Sequence, residues 1–393
     1  MVIGPWCNQP EEYEGYNGFV GWAGVTRLRT GRWIASFNSG FWHWSFPSTP
    51  EILKEPACSE KFAAFERMGC QRIHAPSGGR AHIMSSDDAG LSWSRPATLV
   101  NTDMDDRHPS ILELDDGTLL CTFFQAALPA RFVPRFMLSH DQGRSWSQPQ
   151  VLDERGGGFG NGPAIQLADN SVIWVLEGSF TPEVDHDTIG VFRSGDRGRS
   201  FELVSVIQAD HPLHEASVAE LPDGRLVLIA REHGDVCWSE DGGYTWTTPA
   251  TFGVSLFDPH LVTLPNGVLA CISGSYKTWG LRVILSPDGG RTWHGPAPGQ
   301  GYEIDASVYG YSHPMLLDDG SIALIYQHTG GHRAHQARTQ ALWLVRLAVS
   351  PAADAVTILP APGSPREMGL AEAYLKLVGM PGDGGDPKLG MLC

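Results

Sequence analysis

Six short segments of the chain carry side chains suited to acid–base and nucleophilic chemistry. They are Trp22-Ala23-Gly24, Arg107-His108-Pro109, Asn161-Gly162-Pro163, His214-Glu215-Ala216, Asp258-Pro259-His260 and Tyr311-Ser312-His313. Four of the six contain histidine, although the chain has only 15. A histidine near neutrality both donates and accepts protons. A carboxylate such as Glu215 is costly to bury unless it has a partner or a task. Arg231 and Arg282 offer planar forks that match a carboxylate through two parallel hydrogen bonds. Each residue also has a plain structural reading. Tyr311 suits a core aromatic, Glu215 a strand cap, and the two arginines suit pairing with surface acids.

The elements that must position these segments are repeated. Ser-x-Asp-x-Gly-x-x-(Trp/Phe) occurs five times, starting at Ser86, Ser139, Ser194, Ser239 and Ser286. The starts lie 53, 55, 45 and 47 residues apart, the period of one four-stranded propeller blade. In each copy the Ser and Asp side chains can bond nearby backbone, and Gly supplies a positive φ. The aromatic then returns under the turn. Paired apolar strands run in phase with these boxes, joined at Thr30-Gly31, Asp116-Gly117, Asp169-Asn170, Asp223-Gly224, Asn266-Gly267 and Asp319-Gly320. These turns read as type I′-like hairpins. Six hairpins and five boxes predict an all-β fold, a six-bladed β-propeller of four-stranded antiparallel blades whose last blade lacks its box. The six segments above then stand at the entrances of the innermost strands, which converge on one channel. A helix is expected only between Pro50 and Met68.

Composition agrees. Hydrophobic residues at 42% against 18% charged allow a sizeable core. Gly and Pro, 46 and 28 residues, suit a fold of many tight turns. The formal charge of −16 argues against a nucleic-acid partner, which needs a basic surface. It leaves room for an acidic small substrate gripped by local arginines. Seven cysteines without paired spacing predict reduced thiols, with Cys58–Cys70 the one conceivable pair. There is no zinc spacing, and neither a metal nor a cofactor is expected. Met1 to Pro10 lacks the pattern of a signal peptide, and no apolar run is long enough for a membrane span. The expectation is a soluble chain, cytoplasmic or the mature form of an exported protein. A propeller closes its own sheet edges and needs no partner subunit for stability.

These boxes, on hairpins of this length, resemble the Asp-box (BNR) repeats of the sialidase superfamily, whose members are six-bladed propellers. The resemblance covers about residues 17–350, leaving 1–16 as a lead-in and 351–393 as a tail. It implies a site over the central axis, away from the boxes. Sialidases use a tyrosine nucleophile activated by a glutamate, an aspartic acid as acid/base, and three arginines on the substrate carboxylate. On this chain Tyr311 resembles the nucleophile, Glu215 the glutamate, and Arg231 and Arg282 the second and third arginines. Two positions depart from the pattern. Trp22-Ala23-Gly24-Val25 stands where the first arginine belongs, and Arg72-Ile73-His74-Ala75-Pro76-Ser77 has no aspartate for the acid. Arg72 or Arg107 would have to supply the missing cation, and His74, Asp106 or His108 the acid. His260, Asp258 and His313 complete the expected substrate-binding set.

The resemblance implies a glycosidase releasing a terminal sialic acid or another anionic sugar. Two alternatives stand beside it. One is a polysaccharide lyase acting on a uronic-acid glycan, with a base among His108, His214, His260 and His313 and Tyr311 as partner. The other is a non-catalytic glycan-binding propeller, using Phe41-Trp42-His43-Trp44 and Trp279 to stack on sugar faces.

Overall fold

In a computed structural model of the 393-residue chain, residues 2–3, 19–40, 44–67, 78–153, 158–160, 162–231, 233–275, 280–308, 310–328 and 341–359 are described. The apolar runs of the sequence become strands because alternate side chains can be buried on opposite faces. In strand β15 (Leu226–Arg231), Leu226, Leu228 and Ala230 pack toward the preceding blade, whereas Val227 and Ile229 pack toward the following one. Strands buried on both faces need such continuous apolar runs rather than polar alternation.

Six antiparallel sheets result. Blade 1 contains β1 (Phe19–Arg27), β2 (Trp33–Gly40), β3 (Arg80–Ser86) and β4 (Ala97–Val100). Blade 2 contains β5 (Asp105–Glu113), β6 (Leu119–Ala127), β7 (Arg131–Ser139) and β8 (Gln150–Val151). In blade 3 the innermost strand is interrupted: β9 (Gly158–Phe159) and β10 (Ile165–Gln166) both pair with β11 (Val172–Gly178), followed by β12 (Thr188–Ser194) and β13 (Glu202–Ile207). Blade 4 runs β14 (His214–Glu220), β15, β16 (Asp235–Ser239) and β17 (Ala250–Thr251). Blade 5 runs β18 (Phe257–Thr263), β19 (Leu269–Gly274), β20 (Leu281–Ser286) and β21 (Tyr302–Asp305). Blade 6 runs β22 (Ser312–Leu316), β23 (Ile322–His328), β24 (Ala341–Val349) and β25 (Val356–Leu359). The last blade thus reaches past residue 350, where the sequence suggested a tail. Ile3 bridges Leu342, tying the first residues to blade 6.

Six apolar clusters hold the ring together, one between each pair of neighbouring blades, including blade 6 against blade 1. Each box joins the third and fourth strands of its blade and sends its aromatic into the seam with the preceding blade. Trp93, Trp146, Phe201, Trp246 and Trp293 all do so. Within the box at Ser286, the Ser286 hydroxyl accepts the Gly290 amide and donates to Asp288, which also takes the amide and hydroxyl of Thr292. The same bonds recur in the other four boxes, with Ser92, Ser145, Ser200 and Thr245 in the hydroxyl position. That seventh position was not part of the sequence motif. Blade 6 keeps a reduced version, in which Ser350 accepts the Asp354 amide and donates to the Asp354 carboxylate.

One sequence expectation needs correction. The inner hairpins are not type I′. Leu114 accepts from the Gly117 amide and its own amide donates to Thr118, with Gly117 at φ 83°; the other hairpins repeat this. A type I turn closed by one left-handed residue explains the pattern, since Asp116 needs no positive φ. The helix α1 spans Pro56–Arg67, after a 3-10 turn at Ile52–Lys54, and begins at proline because the missing N–H costs nothing at a first helical position. Met68 lies outside the described residues, as does Cys70. Cys58, Cys121, Cys237 and Cys271 are buried free thiols, and no helix among the described residues is long and apolar enough to cross a membrane.

The box aspartates contribute to the acid sensitivity of the fold. Hydrogen bonds from Ser92 and Ser86 hold Asp88 down at about 2 from 3.8, and those from Ser145 and Ser139 do the same for Asp141. A depressed folded value means stability that is complete above the ordinary aspartate range and is lost as pH falls toward 2. Thermal midpoints recorded from pH 6 downward should therefore fall most steeply below about pH 4. Asp288→Ala should cost about 1–2 kcal/mol at neutral pH, read as a lower denaturant midpoint.

Candidate active site

The innermost strands do not reach the axis as regular pleats. Register shifts fall between Gly21 and Gly24, Arg107 and Ser110, His214 and Ser217, and Phe257 and His260. At each shift one non-glycine residue is left-handed: Trp22 at φ 47°, His108 at 52°, Glu215 at 26° and Asp258 at 49°. Such residues cost on the order of 1–3 kcal/mol and persist only where the surroundings enforce them. The bulge turns each side chain toward the axis and leaves a backbone N–H that needs an acceptor. Tyr311 enters differently, after Gly310 at φ 126°, where a Cβ would stand 2.3 Å from Gly274 Cα.

The acceptors come from the preceding blade. Glu177 of blade 3 accepts the Glu215 amide of blade 4. Glu215 Oε2 accepts the Asp258 amide of blade 5 at 2.9 Å, and Asp258 Oδ2 accepts the Ser312 amide of blade 6 at 3.3 Å. Gln327 Oε1 of blade 6 accepts the Trp22 amide of blade 1 at 2.6 Å. The interblade chain therefore runs through residues expected to do chemistry.

Glu215 forms the central ion pair, its Oε1 lying 2.7 Å from Arg231 Nη1. Burial pushes the Glu215 carboxyl above the usual range, opposed by Arg231 and reinforced by Asp258 and Glu177. Burial works against the Arg231 charge, but Glu215 and then Tyr311 outweigh it and raise its pKa. Tyr311 is buried against Phe257 and Trp22, with ring centroids at 4.7 and 5.3 Å. It lies within electrostatic reach of both Arg231 and Arg107.

Trp22, at the position of the missing first arginine, covers a buried one. The Arg107 guanidinium lies 4.0 Å from the Trp22 ring and 4.0 Å from the Trp44 ring, and pairs with Asp105 at 2.9 Å. Its side chain is 1% exposed, so it is not placed to reach a ligand. Arg282 is not brought to the axis. It pairs with Glu303 on the outermost strand of blade 5 at 3.1 Å. Arg72 and His74 lie outside the described residues, as do Phe41, Trp42, His43 and Trp279.

The expected acids are withdrawn from the mouth. Asp106 is fully buried and accepts from Thr102 and Gln125, with burial raising it to about 6. His108 stacks on Trp22 at 4.9 Å, and burial, then Arg107 and His260, hold it neutral. Burial also lowers His313 to about 3. His260 sits 3.3 Å from Asp258. His214 differs. Its side chain is 28% exposed beside Glu215, and the Glu177 carboxylate, 3.6 Å away, raises its pKa despite burial. Glu177, Asp187 and His214 bring one donor atom each within 4.8 Å of one another, a set able to hold a divalent cation. The ion pairs of His214 with both carboxylates also account for the cluster.

Sequence reading missed Glu177, Gln327 and Gln125. The signal was present: each is a polar residue within three residues of the end of a largely apolar second strand, much as Arg231 follows Leu226–Ala230. Removing one partner of the buried pair strands a charge, which costs about 3–5 kcal/mol. Arg231→Met should therefore lower the unfolding free energy by about 3 kcal/mol. Adding Glu215→Gln should recover part of that loss in a denaturant titration.

A family profile described as the BNR repeat-like domain matches residues 82–293, more than half of the chain. A search of curated proteins finds no match. Among solved structures, a protein of unknown function from Dyadobacter fermentans is similar over 79% of this chain and 92% of its own, at TM-score 0.63 and 18% identity. The Hadza microbial sialidase Hz136 is similar over 78% of this chain and 63% of its own, at TM-score 0.57 and 16% identity. Trypanosoma rangeli sialidase in complex with the inhibitor DANA is similar over 83% of this chain and 54% of its own, at TM-score 0.57 and 13% identity. The chain thus spans less than two thirds of either sialidase, and at these identities the likeness is one of fold. With five boxes on six four-stranded blades and the profile match across most of them, the chain belongs to the BNR repeat-like domain family and is a sialidase-like BNR propeller.

Proposed function

We propose that the chain is a glycoside hydrolase that releases a terminal anionic sugar, sialic acid or a relative, through a tyrosine nucleophile. The observation that carries this reading is the Glu215–Arg231 pair, with Tyr311 within electrostatic reach of Arg231 and Arg107. A phenol is a poor nucleophile until a base takes its proton. Glu215, raised by burial, has the basicity for that task near neutral pH. Two guanidinium charges then stabilise the phenolate, and Arg231, 20% exposed, grips the sugar carboxylate. His214 supplies the leaving-group proton in place of the absent aspartate, because it is partly exposed, next to Glu215, and raised in pKa by the Glu177 carboxylate. The sialidases among the similar structures support a carbohydrate ligand.

The test is a screen of 4-methylumbelliferyl glycosides of sialic acid and related acidic sugars, beside an absorbance assay for unsaturated uronide products. Release of fluorophore is expected, with Tyr311→Phe lowering kcat by about 100-fold or more. Turnover within a few-fold of wild type would remove Tyr311 as nucleophile, and an unsaturated product would make the chain a lyase. His214→Ala should cost about 100-fold on a glycoside with an alkyl leaving group and much less on the umbelliferyl one, whose departure needs little protonation. Equal losses on both would remove His214 as the acid.

A further inference from the structure

A cavity of about 20 Å³ lies on the propeller axis between blades 1, 2, 5 and 6, room for a water molecule. Ser110 Oγ, Asp258 Oδ1, Ser312 Oγ and His313 Nε2, all of lining residues, have no hydrogen-bond partner among the described residues. All four residues are at most 8% exposed. One unmet buried polar group costs about 1–3 kcal/mol, so four around one cavity call for an occupant.

Their hydrogen-bonding roles select its class. The Asp258 carboxylate only accepts. His313 Nδ1 takes the Val25 amide hydrogen at 3.3 Å, so in the neutral ring Nε2 carries the remaining hydrogen and donates. The two hydroxyls do either. An anion is opposed by Asp258, and a metal or ammonium ion by the His313 N–H. A water molecule gives two hydrogens and accepts two, which meets all four atoms.

We propose that the propeller axis is a built water site, in which one water bound by Ser110, Asp258, Ser312 and His313 ties blades 2, 5 and 6 together. Asp258 already bonds the Ser312 amide through Oδ2, and its own amide holds Glu215. The water fixes the remaining oxygen of Asp258, and with it the left-handed backbone that carries the Glu215 anchor. This site stands whether or not the chain hydrolyses a sugar.

A crystal structure of the full chain at a resolution showing ordered water tests it, with Ser110→Ala and Ser312→Val alongside. The expected result is a peak at about 2.6–3.2 Å from at least three of the four atoms. It should persist in Ser110→Ala and be displaced in Ser312→Val, with a lower thermal midpoint for the latter. A wild-type cavity without a peak would overturn the proposal. So would contacts near 2.0–2.4 Å of a coordinated metal, or an anomalous signal from a halide. The wild-type map decides even if Ser312→Val fails to fold.

Discussion

The acceptance of one blade's backbone N–H by a side chain of the blade before it is the interaction on which the centre of this molecule depends. Apolar seams hold the blades together along their length, but they end where the innermost strands meet the axis. There the strands bulge, and each bulge frees an amide that burial would make costly. Glu177, Glu215 and Gln327 accept the amides freed at Glu215, Asp258 and Trp22, and Asp258 extends the chain by accepting the Ser312 amide of the unbulged blade 6 strand. Closing the ring and shaping the mouth are therefore one task, performed by the same atoms.

This double duty explains the electrostatics. A chain of net charge −16 gathers Glu177, Glu215 and Asp258 at one end of its axis, and Arg231 offsets them at close range. Arg107 adds a second cation from beneath, clamped between two indole rings and paired with Asp105. A buried arginine so held is rigid, and its charge is fixed in place with respect to Tyr311. The left-handed backbone of Glu215 is affordable because three partners hold the residue at once: Glu177, Arg231 and the Asp258 amide.

The architecture was legible because it is written in local, repeated signals. A box carries its own hydrogen bonds within seven residues, so five copies announce five blades without any distant information. The polar centre was only partly legible. Tyr311, Glu215 and Arg231 could be placed at strand ends, but whether a side chain turns inward depends on bulges set by neighbouring strands. Arg282 occupies a similar position in sequence and turns instead to Glu303 on its own blade's outer strand. Arg107 and Asp106 are adjacent in sequence, yet one lies under Trp22 and the other bonds Thr102 and Gln125. The hydroxyl that completes each box escaped notice because Ser and Thr share the position.

The central claim is that Tyr311 attacks the sugar with Glu215 taking its proton. The most direct measurement is the mass of the intact protein after exposure to a fluorinated analogue that traps a glycosyl intermediate, such as 2,3-difluorosialic acid, followed by peptide mapping. The account predicts a single adduct on Tyr311, lost in Tyr311→Phe. An unmodified chain, or an adduct on any other residue, would contradict it.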